Sequence, residues 1–315
     1  MFALTGKGQQ KIYGRNSLGT RKKAQLLFYI TMIALPIAQF LVFYLYINLD
    51  SFTLAFQEYS YESNTFSWYG VQNFRQIFED FGTLAFLKHS IVNSLVLFVW
   101  TMIFGSAVAI LFSYYVFKKR FGHIIFKVFL FLPQILGGVV VVIMYKYFMD
   151  EAVPVLAKLL GWEMEEGLIA NPATQFASIL FYSIYTGFGI QVLVYSSTMS
   201  GISDSIIESA QLDGITPIKE LIFIVIPSIW ETFITFMVAS VVGIFTNQMS
   251  LYTFFGDKAD HSLYTFGYYL YKQVLLAGNN EYPYLSAMGF LLTVIAIPLT
   301  LFTRWALTKF GPRSD

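Results

Sequence analysis

The stretch Leu26-Leu-Phe-Tyr-Ile-Thr-Met-Ile-Ala-Leu-Pro-Ile-Ala-Gln-Phe-Leu-Val-Phe-Tyr-Leu-Tyr-Ile47 contains no Asp, Glu, Lys or Arg. At about 1.5 Å of rise per residue, a helix of this length reaches about 33 Å, enough to cross a hydrocarbon core of about 30 Å. Six basic residues precede it: Lys7, Lys11, Arg15, Arg21, Lys22 and Lys23. A secretory signal has the same order of charge and then apolar run, but its apolar part is only about 7–15 residues long. No small-residue cleavage site follows Ile47, so the reading is a retained first membrane span.

Composition agrees. Of 315 residues, 56% are hydrophobic, 19% aromatic and 12% charged, whereas soluble domains carry about 25% charged residues. So much apolar surface calls for lipid as the solvent. The net charge is +1 and no basic face with interleaved aromatics appears, so no nucleic-acid partner is expected. The absence of cysteine excludes disulfides, thiol catalysis and Cys-ligated zinc.

Six stretches are long and apolar enough to cross: 26–47, 90–116, 124–149, 176–199, 221–246 and 285–307. Pro36, Pro133, Pro227 and Pro298 lie inside them. Neighbouring helices can satisfy the carbonyls that such prolines free. Strands of a β-barrel would show strict alternation over about 10 residues, which is not seen. Orientation follows from Lys and Arg. With the N-terminus inside, fourteen basic residues fall on the inner side: the six above with Lys118, Lys119, Arg120, Lys127, Lys219, Arg304, Lys309 and Arg313. Only Arg75, Lys88, Lys146, Lys158, Lys258 and Lys272 fall outside. Both termini are therefore expected in the cytoplasm. Residues 1–25 form a basic tail, 26–307 the membrane domain and 308–315 a second tail.

One inner loop departs from the charge pattern. Residues 201–220 hold Asp204, Glu208, Asp213 and Glu220 against Lys219 alone. Ser205 and Glu208 have capping-box spacing, so a short helix over about 206–213 is expected. Gly214 stands where a helix end wants a left-handed residue. Thr216 can then cap a second helix that begins at Pro217. The product is a helix–turn–helix elbow. Local physics alone also fits a plain surface elbow in which Glu208 only caps.

Glu208-Ser209-Ala210, Asp213-Gly214 and the later Ile226-Pro227 closely resemble the coupling motif of ABC-importer permeases, which runs Glu-Ala-Ala, then Gly, then a hydrophobic residue and Pro. Its place before the next-to-last span is also the family's. Most of the chain resembles the carbohydrate-uptake branch, especially the maltose-type first permease subunit. Tyr69-Gly70-Val71-Gln72-Asn73-Phe74 is similar to the Gly-Leu-x-Asn-Tyr segment before span two. Asn93-Ser94, Phe131-Leu132-Pro133, Leu251 to Gly256, Tyr264-Thr265-Phe266 and Tyr268 to Tyr271 have counterparts as well. Where the family usually has Gly-Gly-Pro, this chain has Gly256-Asp257-Lys258.

The resemblance implies an all-α integral membrane protein of the type I ABC-importer permease fold, with six transmembrane helices and a cytoplasmic coupling elbow. It implies a non-catalytic, multi-pass subunit of a bacterial inner membrane. Its partners would be a second homologous permease, an ATPase dimer and an extracytoplasmic sugar-binding protein. ATP and Mg would bind at the ATPase, and this chain would hold no cofactor. Glu208, Ser209, Ala210, Asp213 and Gly214 would dock the ATPase. By position, Gln134, Gly138, Ser183, Thr186, Gly187, Ser240, Gly243 and Ile244 match residues that line the family's sugar site.

Polarity adds candidates, because polar side chains within spans are costly and usually face a cavity. These are Gln191, Asn247, Gln248 and Glu231, beside Gln134, Ser183 and Ser240 already named. Gly, Ser and Thr equally serve helix–helix contacts. Gly137-Gly138, Gly187 and Gly189 open room, as in transporters with interrupted helices. No P-loop is present. His89, His123 and His261 are scattered, which does not suit a metal site. The expected function is translocation for an ATP-driven importer of carbohydrate, in particular an oligosaccharide. Two other readings stay open: an ABC importer for a polyol or phosphate ester, and an ion-coupled secondary transporter using Glu231.

Overall fold

The computed structural model describes residues 16–312, a helical bundle with one small hairpin. Lys7, Lys11, Arg15 and Arg313 lie outside the described residues. Span one comprises helix Asn16–Gln39, a π-helical stretch Phe40–Tyr46 and helix Ile47–Leu54. Its helix starts well before the apolar run because basic residues can continue a helix and snorkel away from the apolar zone. None of the apolar window within Lys22–Leu54 is buried by the rest of the chain.

Span two is Ala85–Phe117, span four Pro172–Met199 and span six Tyr282–Phe310. The other two stretches, expected at 124–149 and 221–246, are not straight. His123–Ile135 and Gly138–Leu159 meet at 107°, and Pro217–Ser228 and Trp230–Thr246 at 71°. At the first break, Leu136 and Gly137 are extended, just after Pro133 and before a second glycine. At the second, Pro227 removes a backbone donor and Ile229 leaves helical geometry.

Two faces result. One carries the 118–122 turn and the elbow between spans four and five. The other carries a hairpin of β1 (Gln57–Ser60) and β2 (Thr65–Trp68), in which Gln57 pairs with Trp68 and Ser60 with Thr65. The amide of buried Asn73 anchors this hairpin by donating to the carbonyls of Ala55 (3.0 Å) and Gln57 (2.8 Å). On the same face, Asn93 donates to the carbonyls of Ser262 (2.7 Å) and Tyr264 (2.9 Å). Ser94 accepts the buried amide of Phe266 at 2.9 Å. The segments before span two, at its start, and before span six are thus one packed cap. Asp260 tightens it, its carboxyl held below the usual carboxylate range first by the Ser262 hydroxyl and then by the Ser262 amide.

Most of the buried apolar residues form two clusters. One, with Tyr182, Phe266 and Tyr268, lies toward the hairpin face. The other, with Ala109, Phe188, Tyr195 and Val225, lies toward the elbow face.

Candidate functional site

The elbow is built from two short helices, Asp204–Leu212 and Pro217–Glu220. The first is preceded by Ser203 in extended geometry, so the expected Ser205–Glu208 capping box does not form. Ser205 already lies inside the helix, and its hydroxyl pairs with that of Ser203 at 2.7 Å. The far end closes through Gly214, at φ +73°. Its amide bonds to Gln211 O (3.0 Å) and that of Ile215 to Ala210 O (3.1 Å). These are the two bonds of a Schellman end, which needs a left-handed residue. Thr216 precedes Pro217 in extended geometry, but its hydroxyl makes no capping bond.

The elbow stands away from the bundle. Glu208, Ser209, Asp213 and Gly214 are exposed and Ala210 is half-buried. Leu212 is 90% exposed and Ile218 71% exposed. The elbow is held by buried Ile207 and by Glu220, which is 3% exposed. Lys118, one residue past span two, donates to both oxygens of Glu220 at 2.8 and 3.0 Å. The hydroxyl of Tyr114 donates to the same carboxylate at 3.2 Å. Sequence reasoning counted Lys118 and Glu220 only as charges and did not single out Tyr114. Over a hundred positions separate the two charges, and no local pattern joins them.

Within the spans, the bend in span three opens a cavity of about 410 Å³. Gln134, Gly138, Ser183, Thr186, Gly187 and Asn247 converge on it. A second cavity, of about 330 Å³, lies between spans two, four and five and shares Ser183, Gly187 and Asn247. Gln191, Ser240 and Gly243 also line it. Ile244 lines neither and is 6% exposed, turned into the packing of span five. Glu231 also lies outside both, exposed beside the bend. Its neighbour Trp230 ties the bend to span six by donating to Leu307 O at 3.0 Å.

The lining mixes polar and apolar side chains and carries no charge: neither cavity has an Asp, Glu, Lys, Arg or His among its lining residues. The Gln134 amide donates to the carbonyl of Thr186, pinning the bend to span four. Thr186 and Ser240 donate to their own helix, at 2.9 and 2.8 Å, which leaves their lone pairs free to accept. Gln191 Oε1 is buried and lacks a hydrogen-bond partner. Sequence reasoning missed Ser94 and Thr101 of span two, and Met249 and Ser250, as lining residues. Ser94 and Thr101 are seven residues apart, which puts them on one helix face. Met249 and Ser250 follow Asn247 with φ +52° and +54°. Two successive left-handed residues without glycine are a strained turn, here at a cavity wall.

The sequence profile of the binding-protein-dependent transport system inner membrane component family matches residues 101–315. The multiple sugar-binding transport system permease protein MsmF of Streptococcus mutans is 20% identical over 267 residues, covering 84% of this chain and 90% of MsmF. The arabinooligosaccharides transport system permease protein AraP of Bacillus subtilis is 24% identical over 274 residues, covering 85% and 84%. Among solved structures, a chain of a bacterial ABC transporter involved in import of the acidic polysaccharide alginate superposes with a TM-score of 0.76 at 20% identity. That match covers 94% of this chain and 100% of the other. The bent spans and projecting elbow are therefore those of a type I ABC-importer permease, and the chain belongs to the family of binding-protein-dependent transport system inner membrane components.

Proposed function

We propose that this chain is the translocation subunit of an ATP-driven importer of a neutral carbohydrate, in particular an oligosaccharide. The observation that carries this reading is the pair of cavities meeting at Ser183, Gly187 and Asn247, where uncharged hydrogen-bonding side chains stand among apolar ones. Hydroxyl groups can exchange water for these partners without leaving a buried charge unpaired. Tyr182, in the wall of the larger cavity, is only 4% exposed and packs against Tyr145 and Phe254. The names of MsmF and AraP, sugar and arabinooligosaccharide permeases, support the same substrate class. A phosphate ester would call for Lys or Arg in the lining, and an ion-coupled carrier would call for Glu231 there.

In this reading a second homologous permease completes the path and an extracytoplasmic binding protein delivers the sugar. A neighbouring structure includes an alginate pentasaccharide-bound periplasmic protein. The elbow, on the cytoplasmic face, docks on an ATPase dimer that holds ATP and Mg, through Glu208–Gly214 and the exposed Leu212. Closure of the ATPase moves the elbow and alternates access about the bends of spans three and five. The test combines Glu208→Lys with Gly214→Pro in the full complex. ATPase association and uptake should both be lost. Unchanged uptake, or uptake that collapses with the ion gradient while ATP persists, would sink the proposal.

A further inference from the structure

The ion pair between Lys118 and Glu220 is the single one among the described residues. It is almost enclosed, with side chains 17% and 4% exposed. A pair of this kind gains little stability over a shape-matched apolar replacement, so stability alone does not account for it. Its position is informative. Glu220 ends the second elbow helix, and the chain then enters a π-helical turn, Leu221–Val225, and the bend at Ile229. Span five thus departs from regular α-helix just where it leaves the elbow, though Leu221, Val225 and Ile229 are buried in the elbow-side cluster. Span two offers a second route, through the continuous α-helix Ser106–Phe117. Beyond Lys118 it packs on span four: the Ser113 hydroxyl donates to Val192 O at 3.2 Å, and the rings of Phe112 and Phe188 lie 5.8 Å apart. Span four carries Ser183, Gly187 and Gln191 to the cavities.

We infer that Lys118 and Glu220 are positioning residues, a strut that delivers elbow movement to span two and, through it, to the cavity wall on span four. The inference rests on the coupling function proposed above. The strut predicts a defect in coupling rather than in assembly.

The test uses the complete transporter in proteoliposomes, with binding protein and ATP, and reads uptake per ATP hydrolysed. The charge-free double variant Lys118→Met/Glu220→Gln should retain its ATPase on purification but lose coupling by about tenfold, within the span expected of such linkages. Lys118→Glu and Glu220→Lys should each be defective, and the reversed pair Lys118→Glu/Glu220→Lys should recover most of the ratio. Normal uptake per ATP in the charge-free variant would overturn the strut, as would a reversed pair no better than its singles. If Glu208→Lys/Gly214→Pro keeps its ATPase, the coupling function itself fails. If it loses the ATPase while the charge-free variant transports normally, only the strut fails.

Discussion

The ammonium group of Lys118 lies 2.8 Å from one carboxylate oxygen of Glu220 and 3.0 Å from the other, joining the end of span two to the base of the elbow. Lys118→Met alone would strand a carboxylate that is 3% exposed. Breaking one side of a buried pair costs about 3–5 kcal/mol. A clear fall in thermal midpoint in detergent is expected, and most of it should be regained when Glu220→Gln is added.

Gly187 and Gly189 sit two positions apart on span four and should respond oppositely to the same change. A Cβ on Gly189 would stand 2.6 Å from Leu130 O, whereas one on Gly187 would meet nothing within 4 Å. Gly189→Ala should destabilise the span three–span four contact by about 1–3 kcal/mol. Gly187→Ala should leave the thermal midpoint unchanged and reduce uptake, because it narrows both cavities.

Gln191 keeps a buried oxygen without a partner. Such an atom carries a desolvation penalty of about 1–3 kcal/mol. Gln191→Leu is therefore expected to match or exceed the parent in thermal stability while transporting less. A loss of stability with normal uptake would mean that Gln191 only packs helices.

Gly214 holds φ +73° at the elbow's turn. A Cβ there costs about 1–2 kcal/mol from backbone sterics alone, and no neighbouring atom crowds it. Gly214→Ala should leave the bundle stable and weaken recovery of the ATPase in pull-downs, with Gly214→Asn closer to the parent.

Asn93 clasps the cap by two bonds to a loop more than 160 positions away. Asn93→Ala should release Ser262 and Tyr264, and limited proteolysis should then cut faster within residues 256–264. At about 1 kcal/mol per bond the bundle itself should survive.

Hydropathy picked out the stretches that the structure forms as four long helices and two bent pairs, because lipid demands long apolar runs, and that demand is local. Bends were not legible in the same way. Pro36 and Pro298 sit inside continuous helices, while Pro133 and Pro227 lie next to breaks. What separates Pro133 is the pair Gly137-Gly138 just after it, which frees the backbone to leave the helix. Eight of the ten path positions came from the family resemblance and Gln191 and Asn247 from polarity alone; Gln248 and Glu231, also chosen for polarity, line neither cavity, whereas nine of the ten line one of the two. Ile244 does not, because the helix turns it inward. Ser94 and Thr101 were passed over because small hydroxyls on an apolar span also suit packing. The tie between Lys118 and Glu220 depends on how two distant helices meet, which no local window contains.

The break after Ile135 has a further consequence, for biogenesis. His123–Ile135 has 13 residues, which as a helix reach about 20 Å, short of a core of about 30 Å. Although the whole apolar stretch 124–149 is long enough to cross, this limb in its bent form is too short to do so on its own. It is held once span four arrives, through the Gln134–Thr186 bond and the close seat of Gly189 on Leu130. The bend of span three therefore depends on residues some fifty positions later in the chain, so a chain truncated before span four should not hold it.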